Sequence, residues 1–308
     1  MFVKEKRHEF SINGEKAFFS TGLVAKKSES AVLAGMGDTV VLVTVNTKPA
    51  KDDQEYFPLG VEYMEKNYAA GKISGSRFVK RDRFPTDDAI LKARMIDRSF
   101  RPRFASDYRN EVQIIAKVLS FDEDNDPLIV ALNAASAALM LSSAAFTEPV
   151  AGVRVGLVAD QFFPMYKHVN PEDMGDSALN MIVAGDGKTI TNIDANANEV
   201  ADEKMIDSLD FGLELMTPWL EAQQEFVDMF DESEVVKSEY VSFAVPTDLI
   251  EKVQAQFGEA IRADMQSATY DDDREKTQEL MFEEFSGDFS KRLVKEAYEK
   301  ASKLEAKK

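Results

Sequence analysis

YAAGKISGSRFVKRDRFPTDDAILKARMIDRSFRPRF, residues 68–104, is the stretch on which the fold assignment rests. Between Gly71 and Phe104 it has ten basic residues against four acidic ones, whereas the whole chain carries a formal net charge of −18. Phosphate binding needs nearby cations, and distant acids are screened within about 10 Å in physiological salt. The stretch therefore predicts a surface that binds an anionic polymer.

The second half of this stretch predicts a helix that ends near Arg101. Thr86 is a favourable N-cap residue, and Asp87 and Asp88 would lie in the first turn, where the helix dipole favours carboxylates. Pro102 lacks a backbone N–H and would stop the helix.

Two stripes of side chains divide this helix. Arginines recur at helical spacing on one stripe, and Asp97 lies within reach of two of them. A nearly opposite stripe is apolar and should pack. The arginine stripe consists of Arg94, Arg98 and Arg101, and the apolar stripe of Ala89, Ala93, Ile96 and Phe100. A solvated charged face without a ligand is the alternative interpretation.

The loop that precedes the helix, residues 71–85, mixes glycines, cations and the aromatic residues Phe78 and Phe84. Single-stranded nucleic acid is bound by this combination, because bases stack on aromatic rings while cations neutralise the phosphates. The loop and the helix together favour single-stranded RNA as the partner.

This loop and helix resemble the first core domain of polynucleotide phosphorylase, whose pattern includes YAAGKIPG, FFRREGRPSE and RLIDRPIRPLFP. The resemblance continues in GDTVVLVTV at 37–45, FPLGVEY at 57–63, NEVQII at 110–115, AASAAL at 134–139, IVAG at 182–185 and ANEV at 197–200. It is specific over about the first 225 residues and looser beyond. It implies a polyribonucleotide nucleotidyltransferase that degrades mRNA from 3′ to 5′ with phosphate.

The resemblance also implies roles for individual residues. The family's loop that narrows the RNA channel falls on Phe78, Val79, Lys80 and Arg81, and Arg83 lies just beyond it. Val79 replaces the second aromatic residue of the family's loop. The family's arginines near the phosphorolytic site fall on the arginine stripe, namely Arg94, Arg98 and Arg101.

The predicted fold class is α+β. An RNase PH-like domain with mixed β-sheets and packed helices is expected over residues 1–225, followed by a smaller all-α domain over residues 226–308 that resembles the family's helical linker. Asn13-Gly14 and Asp186-Gly187 are turn signals between strands, and Pro127 opens an alanine-rich helix that ends near Ser143.

The resemblance places the catalytic apparatus elsewhere. In the family a second core domain carries a serine-rich phosphate loop and the aspartates that hold Mg²⁺, whereas Asn180 stands here where an ionised ligand would be needed. Asp173 and Asp176 are better explained as turn and cap carboxylates. We therefore assign no catalytic residue and no metal site to this chain, and expect Mg²⁺ and inorganic phosphate to act in a second core.

Other motifs carry less weight. Gly187-Lys188-Thr189 resembles the end of a phosphate-binding loop, but the glycine required five positions earlier is Ile182, so a hairpin explains it better. His8 and His168 are far apart in sequence, and the chain has no cysteine, which excludes thiol chemistry. The expected localisation is the cytoplasm, with no membrane association.

Single-stranded RNA, two further copies in a homotrimeric ring and RNA-decay proteins are the expected partners. A non-catalytic RNA-binding or ring-scaffolding subunit is the first alternative function, since Asn180 lacks the charge of an aspartate. A complete single-domain phosphorolytic exonuclease is the second alternative, but it would need its own aspartates. The chain is thus expected to be the first half of a larger enzyme.

Overall fold

A computed structural model of the protein describes residues 4–51, 54, 56–72, 85–165, 177–231, 233–267 and 269–307. These residues divide into two compact units, Met1–Val241 and Ser242–Lys308. The boundary expected after residue 225 falls inside a helix that continues to Val227.

The first unit contains a six-stranded mixed sheet in the order β1-β2-β3-β4-β6-β5. Neighbouring strands are antiparallel except β5 and β6, which are parallel, so that Leu59 lies opposite Val112. The strands are β1 (Lys6–Ile12), β2 (Glu15–Thr21), β3 (Ser30–Met36), β4 (Thr39–Lys48), β5 (Leu59–Glu65) and β6 (Glu111–Ser120). β5 forms one edge of this sheet.

A second sheet has four antiparallel strands in the order β10-β9-β7-β8. Its strands are β7 (Ala151–Val158), β8 (Gln161–Pro164), β9 (Leu179–Gly185) and β10 (Ile190–Ala197). Every residue of β9 is buried, which explains its nearly continuous apolar sequence. β10 is an edge strand and is mostly exposed.

Three helices pack on these sheets, namely α1 (Asp87–Phe100), α2 (Pro127–Leu141) and α3 (Asp202–Val227). All residues of α2 are buried, and the helix is apolar on every side, as expected for a helix inside a core. Its N-terminus is capped by Asp126, which accepts a hydrogen bond from the Leu128 amide at 2.9 Å. Its last carbonyls accept hydrogen bonds from the Lys237 ammonium.

The second unit consists of helices α4 (Thr247–Gln266), α5 (Tyr270–Phe285) and α6 (Lys291–Glu305). Its own apolar core includes Leu249, Val253 and Ile261, which recur at helical spacing on α4. A buried hydrogen bond of 2.9 Å from the Tyr298 hydroxyl to Asp264 joins α6 to α4.

The predicted α+β class is confirmed by the two sheets and the helices that pack on them. The hairpins at Asn13-Gly14 and Asp186-Gly187 also form. The sequence did not predict β8, which is only four residues long. The apolar run at 240–245 adopts neither helix nor strand.

Candidate nucleic-acid interface

α1 begins and ends where the sequence predicts. The Thr86 hydroxyl accepts a hydrogen bond from the Ala89 amide at 3.2 Å, and Asp87 and Asp88 occupy the first turn. After Phe100 the chain enters a short 3₁₀ turn that contains Pro102. Local capping chemistry therefore fixes the helix that carries the arginine stripe.

The inward face of α1 differs from the predicted apolar stripe at two positions. Ala93 is half-buried rather than buried. Lys92, one of the bases counted in this stretch, has only 7% of its surface exposed. Its ammonium lies 2.7 Å from a carboxylate oxygen of Glu65 and 2.7 Å from one of Asp88. Lys92 thus joins α1 to β5 and does not contribute to an anion-binding surface.

The surroundings of Lys92 keep it charged. Burial alone would lower the pKa of its ammonium, but the hydrogen bonds to Asp88 and Glu65 raise that pKa above its usual value. Tyr63 donates a hydrogen bond to Glu65 at 2.9 Å, and burial together with the charge of Glu65 raises the pKa of Tyr63 well above 10.0. This polar cluster links α1 to β5 within the protein.

Arg101 is also engaged within the protein. Two of its nitrogens donate to the Asp97 carboxylate, at 2.6 and 3.2 Å. The guanidinium also donates to the carbonyl oxygens of Phe57 at 3.0 Å and Leu59 at 3.3 Å. These contacts fix the end of α1 against the start of β5. Arg101 therefore holds the C-terminal end of α1 against β5, and its guanidinium is already bound within the protein.

Arg94 and Arg98 behave differently. Both are exposed on α1, and neither has a hydrogen-bond or ion-pair partner among the residues that the structure describes. Arg103 is bound to Asp186 at 2.8 Å and also to Glu148. Of the arginines in the second half of the basic stretch, Arg94 and Arg98 are thus the two available to an anion.

The four loop residues predicted to bind RNA, Phe78, Lys80, Arg81 and Arg83, lie outside the described residues, as do Asp173 and Asp176. Their roles stay predictions. The turn at Gly187 is a hairpin in which the Asp186 carboxylate accepts from the amides of Lys188 at 2.9 Å and Thr189 at 2.6 Å. The hairpin interpretation of this motif is confirmed.

Asn180 has an unexpected partner. Arg154, buried on β7, donates to the Asn180 side-chain oxygen at 2.8 Å and to the Asp126 carboxylate at 2.5 Å. A permanent guanidinium at this place neutralises the carboxylate and repels a divalent cation, so these residues do not fit Mg²⁺. The sequence analysis missed Arg154, although a single arginine inside the apolar run of 151–158 signals a buried ion pair.

In the described ranges, no group of three or more histidine, cysteine, aspartate or glutamate side chains could hold a metal ion. None of the helices in the described part is both long and apolar enough to cross a membrane.

Known proteins resemble this chain over most of its length. Residues 15–144 match the model of the 3′ exoribonuclease family, domain 1. The polyribonucleotide nucleotidyltransferase of Geotalea uraniireducens (strain Rf4) is 39% identical over 265 residues, which is 84% of this chain and 37% of that protein. The enzyme of the same name from Granulibacter bethesdensis is 43% identical over 219 residues, or 70% of this chain and 30% of that protein.

A solved structure agrees on the fold. The crystal structure of rice (Oryza sativa) Rrp46 superposes with a TM-score of 0.52 at 13% identity, over 73% of this chain and 94% of that one. The chain spans about a third of the length of the relatives named above. Over most of its length the chain is therefore similar to polyribonucleotide nucleotidyltransferases. Residues 15–144 of its first unit match an RNase PH domain, and the fold of that unit is RNase PH-like.

Proposed function

We propose that this chain is the RNA-guiding part of a 3′-to-5′ phosphorolytic exoribonuclease that takes part in mRNA degradation. The whole enzyme uses inorganic phosphate to cleave the terminal linkage of RNA and releases nucleoside diphosphates. The observation that carries this function is the 39% identity with a polyribonucleotide nucleotidyltransferase over 84% of the chain. The exposed guanidiniums of Arg94 and Arg98, on the helix that follows the basic loop in the sequence, support RNA as the ligand.

Within this function the residues have different tasks. Lys80, Arg81 and Arg83 neutralise the RNA backbone, and a base stacks on Phe78, which is worth roughly 1–3 kcal/mol. Arg94 and Arg98 continue the cationic path along α1. Arg101 holds the helix in position through Asp97 and the start of β5.

The remaining features of the whole enzyme belong to the same proposal. Mg²⁺ and phosphate bind in a second core domain, and three copies form a ring in the cytoplasm. The buried Arg154–Asp126 pair beside Asn180 gives specific support to a second candidate for this polypeptide taken alone, a non-catalytic RNA-binding or ring-scaffolding subunit.

The salt dependence of RNA binding tests the guiding role. The variant in which Lys80, Arg81 and Arg83 are changed to glutamine should bind single-stranded RNA less tightly. Log affinity falls as log salt rises, and this negative slope should become shallower by about 0.7 for each lost contact. Fluorescence anisotropy with a labelled oligoribonucleotide measures both quantities.

A matched control removes three exposed lysines of the second unit, Lys295, Lys303 and Lys307, and so changes the net charge equally. Its slope should stay near that of the unmodified chain. Equal slopes for the loop variant and this control would contradict the proposed role of the loop.

A further inference from the structure

An open groove of about 310 Å³ lies between β5 and α1. Two features of the fold create it. β5 is the last strand of its sheet, so its outer edge is not paired with another strand in the part of the chain that the structure describes. α1 begins after Pro85 and passes this edge. Just after the helix, Arg101 donates hydrogen bonds to the carbonyl oxygens of Phe57 and Leu59, near the start of β5. The volume is at the small end of the roughly 300–1,000 Å³ found for ligand clefts.

The walls of this β5–α1 groove are mainly apolar. Aliphatic side chains line both sides, and β5 adds one aromatic ring. The lining without charge consists of Ala89, Ile90 and Ala93 on α1, of Leu59, Val61, Tyr63 and Met64 on β5, and of Pro85. Ile90 is 47% exposed although it lines the groove. The walls therefore offer apolar contact to a flat, partly apolar ligand.

The charged residues that line the groove differ in whether they have an ion-pair or hydrogen-bond partner. Asp97 and Arg101 neutralise each other at 2.6 Å. Arg94 lines the groove, is exposed, and has no partner among the described residues. Glu62 is an exposed acceptor on the opposite wall, likewise without a partner in the described ranges. The groove thus combines an apolar wall with one available cation and one available hydrogen-bond acceptor.

The geometry points to the β5–α1 groove as a subsite for one nucleotide of single-stranded RNA. The base lies against the apolar wall within reach of Glu62, and an adjoining phosphate binds Arg94. A carboxylate accepts hydrogen bonds from the amino group of cytosine, which makes cytidine a suitable probe. This inference rests on the proposed function, because it assigns a place on the RNA path to a surface outside the basic loop.

Two neighbouring residues of α1 provide a matched test. Ile90 lines the groove, whereas Leu91 does not line it and is 62% exposed. Ile90→Glu and Leu91→Glu therefore add the same charge at adjacent positions, but only the first blocks the subsite. In the full chain, fluorescence anisotropy should give a dissociation constant for a short oligocytidylate about tenfold weaker for I90E than for L91E.

An oligomer of equal length with abasic riboses separates base binding from charge repulsion. Against this probe I90E and L91E should weaken binding equally. Should they weaken oligocytidylate equally as well, the subsite is wrong while the guiding role of the loop stands. If the unmodified chain binds no RNA at all, both the subsite and the proposed function fail.

A second pair keeps the test decisive if I90E unfolds at a lower temperature than the unmodified chain. Arg94→Gln and Arg98→Gln each remove one exposed cation from α1, but only Arg94 lines the groove. The expected result is that R94Q weakens oligocytidylate binding about fivefold more than R98Q. Equal losses would overturn the subsite.

Discussion

At the scale of single residues, the cations of the basic stretch do not share one role. Lys92 and Arg101 are bound to carboxylates inside the protein, whereas Arg94 and Arg98 face outward. All four belong to one helical segment of similar composition. What separates them is whether a carboxylate from the same helix or from β5 lies within reach, so each residue supports a different prediction.

Replacing Lys92 should destabilise the first unit. Lys92→Met leaves the carboxylates of Glu65 and Asp88 without their shared cation, and their side chains are 43% and 57% exposed. Because solvent screens these partners, we expect a loss of about 1–2 kcal/mol in the free energy of unfolding. Urea denaturation followed by tryptophan fluorescence measures it.

Lys48→Met is the control for this substitution. Lys48 forms an ion pair with Glu111, but its side chain is 70% exposed. Exposed pairs contribute less than about 1 kcal/mol, so this variant should cost much less than Lys92→Met. A larger loss at Lys48 would contradict the internal role assigned to Lys92.

Asp122 should make the stability of the protein depend on pH in the acidic range. Partial burial alone would raise its pKa, but hydrogen bonds from Asn125, Thr39 and Asp124 lower that pKa from 3.8 to about 2. The stabilising contribution is therefore present above pH 3.8 and is lost as the pH falls through about 2. Asp122→Asn should make the unfolding free energy fall less steeply in this window.

Urea midpoints between pH 5 and pH 2 check this result. Asp210→Asn, at an exposed position of α3, should leave the slope of the unmodified chain unchanged. Parallel slopes for the unmodified chain and Asp122→Asn would contradict the role of these hydrogen bonds.

At the scale of secondary-structure elements, replacing two helical glycines by alanine should change the stability in opposite directions. Gly212 on α3 packs so closely on β9 that a Cβ atom would lie 2.5 Å from a methyl carbon of Val183. Gly258 on α4 has more space, because a Cβ atom there would lie 3.6 Å from a carboxylate oxygen of Glu305, an ordinary contact distance. Gly212→Ala should cost roughly 1–3 kcal/mol through overpacking. Gly258→Ala should gain up to roughly 1 kcal/mol from helix propensity.

The two substitutions need different probes. Trp219, the single tryptophan, is 2% exposed in the first unit and reports Gly212→Ala by fluorescence. Far-ultraviolet circular dichroism follows the helices of both units, so the part of the transition that Trp219 fluorescence does not show reports Gly258→Ala. Stabilisation by Gly212→Ala would contradict the close packing of α3 on β9.

Elements whose signals are local could be predicted from the sequence. The Thr86 cap and the hairpins at Asn13-Gly14 and Asp186-Gly187 each depend on a few neighbouring residues. Non-local pairs could not be predicted. Arg154 meets Asp126 and Asn180 only because β7, β9 and the start of α2 come together. For the same reason the β5–α1 groove could not be predicted from the sequence.

At the scale of the whole molecule, the candidate functional features lie in one of the two compact units. The first contains the RNase PH-like domain, the arginine stripe and the β5–α1 groove. The second is a separate helical unit with its own apolar core. The buried guanidinium of Arg154 beside Asn180 leaves the first unit without a fit for Mg²⁺ at that place. Binding of RNA without turnover is the behaviour that this arrangement predicts for the chain by itself.

Turnover by the purified 308-residue chain tests this central claim most directly. The chain is incubated with 5′-labelled single-stranded RNA and Mg²⁺, with and without phosphate, and both RNA length and nucleoside diphosphate release are followed. The account predicts salt-sensitive RNA binding and no shortening under either condition. Phosphate-dependent release of nucleoside diphosphates would contradict it, because the chain would then contain a complete phosphorolytic site.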